Sequence, residues 1–124
     1  MELSEVDAGS RRLRLRLAPN ADAPAAARRA LRGLPLGGHA DDVVLLASEL
    51  VTNAVSHAGL ESGQSIELAA TCDGLHARVE VRDPGVGFTL SDSRGGFGLH
   101  IVAAAASSWG VERDGATCVW FELP

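Results

Sequence analysis

The sequence predicts an α+β fold, a two-layer sandwich with helices on one face of a mixed, mostly antiparallel sheet. Three observations carry that prediction. Several short segments alternate apolar and polar residues at the strand period of two. The segment around Asp41–Ala58 instead repeats its apolar residues at helical spacing. Two Asp-Gly dipeptides, Asp73-Gly74 and Asp114-Gly115, sit between alternating runs as hairpin turns do. The resulting order is strand, helix, helix, hairpin, helix, hairpin. The 124 residues suffice for one domain with a core and leave no room for a second.

Residues 1–10 show no periodicity and are expected to form a flexible N-terminal arm, with the domain proper over 11–124. Arg12 to Leu17 alternate strictly, a strand with its leucines on one face. Asn20 and Asp22 offer caps, Pro24 suits a first helical turn and Gly33 a stop, which places a short alanine-rich helix at about 22–32. After Gly37-Gly38 a longer helix runs from Asp41 to about Ala58, with Asp41 and Asp42 at its positive end. Val43, Leu46, Ala47, Leu50, Val51, Ala54 and Val55 form its apolar stripe, and Glu49, Asn53 and His57, four apart, line up as a polar ridge beside it. Ile66, Leu68, Ala70 and Cys72 alternate, as do Leu75, Ala77, Val79 and Val81 beyond the Asp73-Gly74 turn. The same parity puts Asp83 at the end of the core-facing row, where a carboxylate needs a partner. Gly96 to Ser107 reads as a third helix. Trp109–Arg113 and Ala116–Leu123 form the closing hairpin around Asp114-Gly115. A two-residue turn would set Trp109 opposite Trp120 and Val111 opposite Cys118, with Thr117, Val119, Phe121 and Leu123 on the other, core-facing side.

Composition narrows the function. A net charge of −5 argues against non-specific nucleic-acid binding. The chain has no lysine, which excludes a Walker-type phosphate lysine and a Schiff base; any cationic work falls to 11 arginines. The longest apolar run, Ile101–Ala106, is far too short to span a bilayer, and the acidic first residues are unlike a secretory signal, so a cytoplasmic protein without membrane contact is expected. Cys72 and Cys118 lack metal-type spacing and read as two buried, reduced thiols.

Three short segments point to a nucleotide. Glu49 and Asn53, one helical turn apart, can position a nucleophile and a metal. Asp83-Pro-Gly85-Val-Gly87 follows a strand, where a lone Asp can read a base. Gly95-Gly96-Phe97-Gly98-Leu99 opens a helix whose free amides suit phosphate oxygens. Each alone is a common pattern; their joint occurrence in this order is not.

In this order the trio resembles the N box and the two Gly boxes of the Bergerat ATP-binding fold, shared by gyrase, heat-shock chaperones, histidine kinases and mismatch-repair ATPases. Ser48-Glu-Leu-Val-Thr-Asn-Ala-Val-Ser-His-Ala58, Gly98-Leu-His-Ile-Val102 and Val119-Trp-Phe-Glu-Leu123 more closely resemble the small anti-sigma-factor serine kinases of bacteria, including the short actinobacterial regulators. The resemblance spans about 11–124. It implies ATP and Mg²⁺ as cofactors, with Asn53 as the metal ligand and Glu49 as general base. It further implies Asp83 on the adenine amino group, with Thr117 beside it and Gly85 and Gly87 turning close to the base. Gly96, Gly98 and Leu99 would present amides to the phosphates, and Phe88, Gly95 and Phe97 fall among the cofactor-binding residues; His57, on the helix ridge, is either at the pocket rim or a filler at the helix end. One departure bears on activity: only seven residues, Phe88–Arg94, separate Gly87 from Gly95, where the family often carries a lid of a couple of dozen. Arg94 is the cation available there for the γ-phosphate.

The resemblance therefore implies an ATP-dependent serine protein kinase that phosphorylates an anti-anti-sigma (STAS) partner and regulates a sigma factor. The alternative it leaves open is a non-catalytic, nucleotide-dependent binding module of the same fold with a shortened lid. Strand parity also sends Arg12, Arg14, Arg16, Arg78, Arg82 and Trp120 to the sheet face away from the helices, a surface open to a homodimer or partner contact or simply to solvent.

Overall fold

The computed structural model describes residues 2–7, 10–57, 61, 63–73, 76–84 and 105–124, with backbone alone for 2–7, 10 and 57. Six strands form one sheet: β1 (Glu2–Asp7), β2 (Ser10–Leu17), β3 (Ile66–Cys72), β4 (Ala77–Asp83), β5 (Ser108–Arg113) and β6 (Thr117–Leu123). Their spatial order is β1-β2-β3-β4-β6-β5, and every described pairing is antiparallel. Two helices, α1 (Ala23–Leu31) and α2 (Ala40–His57), pack on each other; α1 also packs on β2 and α2 on β4. The two-layer α+β sandwich is thus present.

Local chemistry explains the helix bounds. Pro24 stands in the first turn of α1, where its missing N–H breaks no bond, and Asn20 Oδ1 accepts from the Asp22 amide to shape the entry. Arg28 and Arg29 occupy the last turn, matched to the negative end of the helix dipole. Gly37, at φ +56°, opens a single 3₁₀ turn (Gly37–His39) that leads into α2, whose first turn carries Asp41 and Asp42.

Leucine rows from β2, alternate residues of β3, β4 and β6, and the stripes of both helices meet between the layers. Phe121, Leu13, Leu31, Leu46, Ile66 and Leu68 are the largest of the fully buried apolar side chains. Each contributes about 1.5–3 kcal/mol by leaving water.

The N-terminal segment departs from expectation. Residues 1–10 have no alternating apolar face, yet Glu2–Asp7 pairs with β2, Leu3 opposite Leu13 and Glu2 opposite Arg14, with a register shift between Glu5 and Asp7. Backbone pairing along an otherwise open sheet edge does not require an apolar period, so periodicity missed it.

Both hairpin turns are longer than the Asp-Gly signal implies. In the first, Cys72 pairs with Ala77, so four residues separate the strands, and Asp73 caps the turn by accepting from the His76 amide at 2.7 Å. The change from two residues to four keeps the parity, and the expected faces hold. The second hairpin has three turn residues, Asp114–Ala116, with Gly115 at φ +74° and the Asp114 amide bonded to Ala116 O. That odd count slips the register by one. Trp109 stands opposite Phe121 and Val111 opposite Val119, not Trp120 and Cys118. The slip places Trp109 and Val111 against the core with the apolar row of β6. Most of the expected third helix, Gly96–Ser107, lies outside the described residues. At its end Ser107 is already tied to the sheet, its amide and hydroxyl both donating to Glu122 O.

Candidate functional site

Four polar side chains are buried among the described residues: Ser48, Asn53, Asp83 and Thr117. Ser48 is satisfied within α2, its hydroxyl donating to Leu45 O at 3.2 Å. The other three are residues singled out from the sequence, one on a helix and two on neighbouring strands.

Asn53 sits on α2 with 6% of its surface exposed, and its Nδ2 is buried with no hydrogen-bond partner among the described residues. A buried donor left unpaired costs about 1–3 kcal/mol. A core position under no other demand would hold an apolar residue there. Glu49, one turn earlier on the same ridge, is half-buried and so keeps access to solvent. Thr52, beside the ridge, turns its hydroxyl back to Ser48 O at 2.8 Å.

Asp83 closes β4. The alternation Ala77, Val79, Val81, Asp83 carries it onto the core side, where it is 5% exposed. Its cross-strand partner is Thr117, the first residue of β6, also buried. Carboxylate and hydroxyl therefore stand side by side on one face at one end of the sheet. Pro84 follows and lacks the N–H to extend the ladder. An open cleft of about 300 Å³ at this sheet end borders Asp83, lined by Gly63, Gln64, Ser65, Pro84 and Ala116 and, from the sheet face away from the helices, by Glu67 and Arg82. The loop and turn residues of that cleft carry no periodicity, so the sequence offered no reason to choose Gln64 or Ser65. Gly63, at φ +95°, is the one with a visible backbone role.

His57 is the last residue of α2, in line with Glu49 and Asn53 on the backbone. Gly85, Gly87, Phe88, Arg94, Gly95, Gly96, Phe97, Gly98 and Leu99 lie outside the described residues. Among the described residues no three His, Cys, Asp or Glu side chains converge on a metal position.

The opposite sheet face is chemically distinct. Cross-strand register aligns Arg12, Thr71, Arg78 and Glu122 in one row and Arg14, Ala69, Glu80 and Trp120 in the next. Arg78 lies 4.4 Å from the Trp120 ring centre and is held by Glu122 at 2.7 Å and Glu80 at 3.1 Å. The Arg78 hydrogen bond holds the Glu122 carboxyl below its usual range. Trp120 in turn lies flat over Gly110, where a Cβ would meet the indole at 2.9 Å. Parity identified this face; the closed network on it came only with the structure. The two thiols are free and buried, and burial raises both above their ordinary value. No described helix is long and apolar enough to cross a membrane.

Comparison with known proteins agrees with this fold. The crystal structure of the RsbU and RsbW domains of Rv1364c from Mycobacterium tuberculosis matches with a TM-score of 0.71 at 26% identity, over 90% of this chain. The match covers 32% of that longer chain, so the present chain spans about a third of its length. No curated protein matches the sequence. A family model for the histidine kinase-like ATPase domain matches residues 10–123, nearly the whole chain. With a buried Asn53 on the helix and a buried Asp83–Thr117 pair on the sheet, the chain belongs to the histidine kinase-like ATPase domain family, an ATP-binding fold.

Proposed function

We propose that this domain is a serine protein kinase of the anti-sigma-factor type. It uses Mg-ATP to phosphorylate a serine on an anti-anti-sigma (STAS) partner in the cytoplasm, and so regulates transcription through a sigma factor. The observation that carries the reading is the buried Asn53 amide, unpartnered among the described residues, one helical turn from the half-buried Glu49 carboxylate. Asn53 Oδ1 is a hard-ion ligand, and its unpaired Nδ2 is a donor for a phosphate oxygen. When bound, Mg²⁺ neutralises phosphate charge. Glu49 accepts the proton of the attacking serine hydroxyl and orients that oxygen toward the γ-phosphate. Asp83, held in the core beside Thr117, accepts a hydrogen bond from an adenine amino group. His57, Phe88 and Phe97 line the rim. Gly85 and Gly87 allow close approach to the base. Gly95, Gly96, Gly98 and Leu99 supply amides to the phosphates, and Arg94 meets the γ-phosphate. A homodimer would use the arginine-rich sheet face.

The seven residues between Gly87 and Gly95 favour a second reading, a nucleotide-dependent binding module without transfer. Charge neutralisation and positioning supply most phosphoryl-transfer catalysis, and a short connection limits both. The two readings separate on incubation with Mg-ATP and candidate STAS proteins, scored by phosphoserine mass. Transfer by the native chain and its loss in Glu49→Ala, with ATP affinity retained, supports the kinase. Unchanged partner regulation by Glu49→Ala refutes it in favour of the binding module.

A further inference from the structure

We propose that the outer edge of β2 is a strand-docking site for an acidic, extended segment of a partner protein, with β1 as its resident occupant. The inference is independent of the nucleotide reading. β2 carries Arg11, Arg12, Arg14 and Arg16 among its eight residues, an unusual density for a strand next to a sheet edge. β1, its neighbour on that edge, reads Glu-Leu-Ser-Glu-Val-Asp. Two of their pairs are complementary in charge, Glu2 opposite Arg14 and Glu5 opposite Arg11, while Arg12 faces Ser4 and Asp7 faces Ser10. Opposite charges directly across a strand pair favour that pairing.

Two features make β1 displaceable. It offers Leu3 and Val6 as its apolar residues, against the three leucines of β2 that anchor the sheet to the helices. The pairing is also broken by a register shift between Glu5 and Asp7. Segments with few apolar residues and interrupted ladders open at low free energy. Once β1 lifts, the exposed edge presents backbone groups for strand addition, the recognition mode in which main-chain bonds give affinity and side-chain rows give selectivity.

The rows select against a second copy of β2. Antiparallel self-pairing that keeps the leucines on the core face sets arginine against arginine, and like charges directly opposite are destabilising. They select for an acidic strand, the chemistry β1 already displays.

The test uses the full chain, the double variant Ser4→Pro with Glu5→Pro, and a fluorescent peptide of residues 1–9. Adjacent prolines remove one pairing amide whichever of the two faces β2. Fluorescence anisotropy is expected to show the peptide binding the variant at least tenfold more tightly than the native chain. Binding should weaken at least tenfold between low and 0.5 M salt and be lost for a peptide whose acidic residues are replaced by lysine. Equal affinity for both proteins, or binding of the charge-inverted peptide, overturns the proposal. Concentration-dependent dimerisation of the variant also overturns it, by assigning the edge to a second copy. Should the variant fail to fold, hydrogen exchange on the native chain decides. β1 amides exchanging at least tenfold faster than those of β3 and β4, and faster still with excess peptide that takes their place on β2, supports the proposal; equal protection without peptide refutes it.

Discussion

Replacing Asn53 by alanine separates the stability role of this residue from the ligand role proposed for it. Its Nδ2 is buried without a partner among the described residues, so the ligand-free fold carries an unsatisfied donor worth about 1–3 kcal/mol of destabilisation. Truncation at Cβ removes that donor and leaves a small void, whose lost contacts cost about 1 kcal/mol. The net effect on the ligand-free protein is near zero or stabilising by up to about 2 kcal/mol. For a chain of 124 residues the unfolding entropy is roughly 0.26 kcal/mol/K, so 1 kcal/mol is about 4 °C in Tm. The native chain with Mg-ATP at a hundred times its Kd gains about 2.7 kcal/mol, or roughly 10 °C. Thermal unfolding followed by circular dichroism, with and without Mg-ATP, is the assay. Asn53→Ala is expected to match or exceed the native Tm without ligand and to lose the Mg-ATP shift. A fall of about 8 °C or more in the ligand-free variant would show that Asn53 is an ordinary satisfied core residue. A full Mg-ATP shift would remove it from the site.

Asp83→Asn reverses part of the acceptor character beside Thr117, and should weaken ATP binding, measured by calorimetry, by one to two orders of magnitude. Gly110→Ala drives a methyl to within 2.9 Å of the Trp120 ring and should lower stability by about 1–2 kcal/mol in urea unfolding, with a changed near-ultraviolet signal. Because Arg78 depresses the Glu122 carboxyl, its stabilisation is complete above the ordinary value of 4.5 and is lost as pH falls through the lower folded value; Glu122→Gln should flatten that acid limb. Burial raises Cys72 and Cys118, so both thiols should resist a thiol reagent at pH 8 until the chain unfolds, as titration with and without urea will read.

Much of this fold was legible because its signals are local. Period-two alternation located β2, β3, β4 and β6, and the apolar stripe located α2, each within a residue or two. Parity alone placed Asp83 and Thr117 on the core side, and helical spacing placed Glu49 and Asn53 on one ridge. β1 was missed because an edge strand is held by main-chain pairing that leaves no apolar period. The closing hairpin was misregistered because Asp-Gly announces a turn without stating its length. The third residue, Ala116, shifted every β5 partner by one.

By itself, then, the sequence determined which residues are polar exceptions within apolar patterns, since periodicity is set by neighbours along the chain. Only the tertiary structure decided which exceptions meet. It set Asp83 opposite Thr117 across strands more than thirty residues apart in sequence, and left Asn53 buried with a donor unpaired among the described residues. It also joined Arg78, Trp120 and Glu122 into one network. Those outcomes depend on strand order and turn length, which are settled by packing two layers against each other and by the backbone bonds that closing the sheet requires.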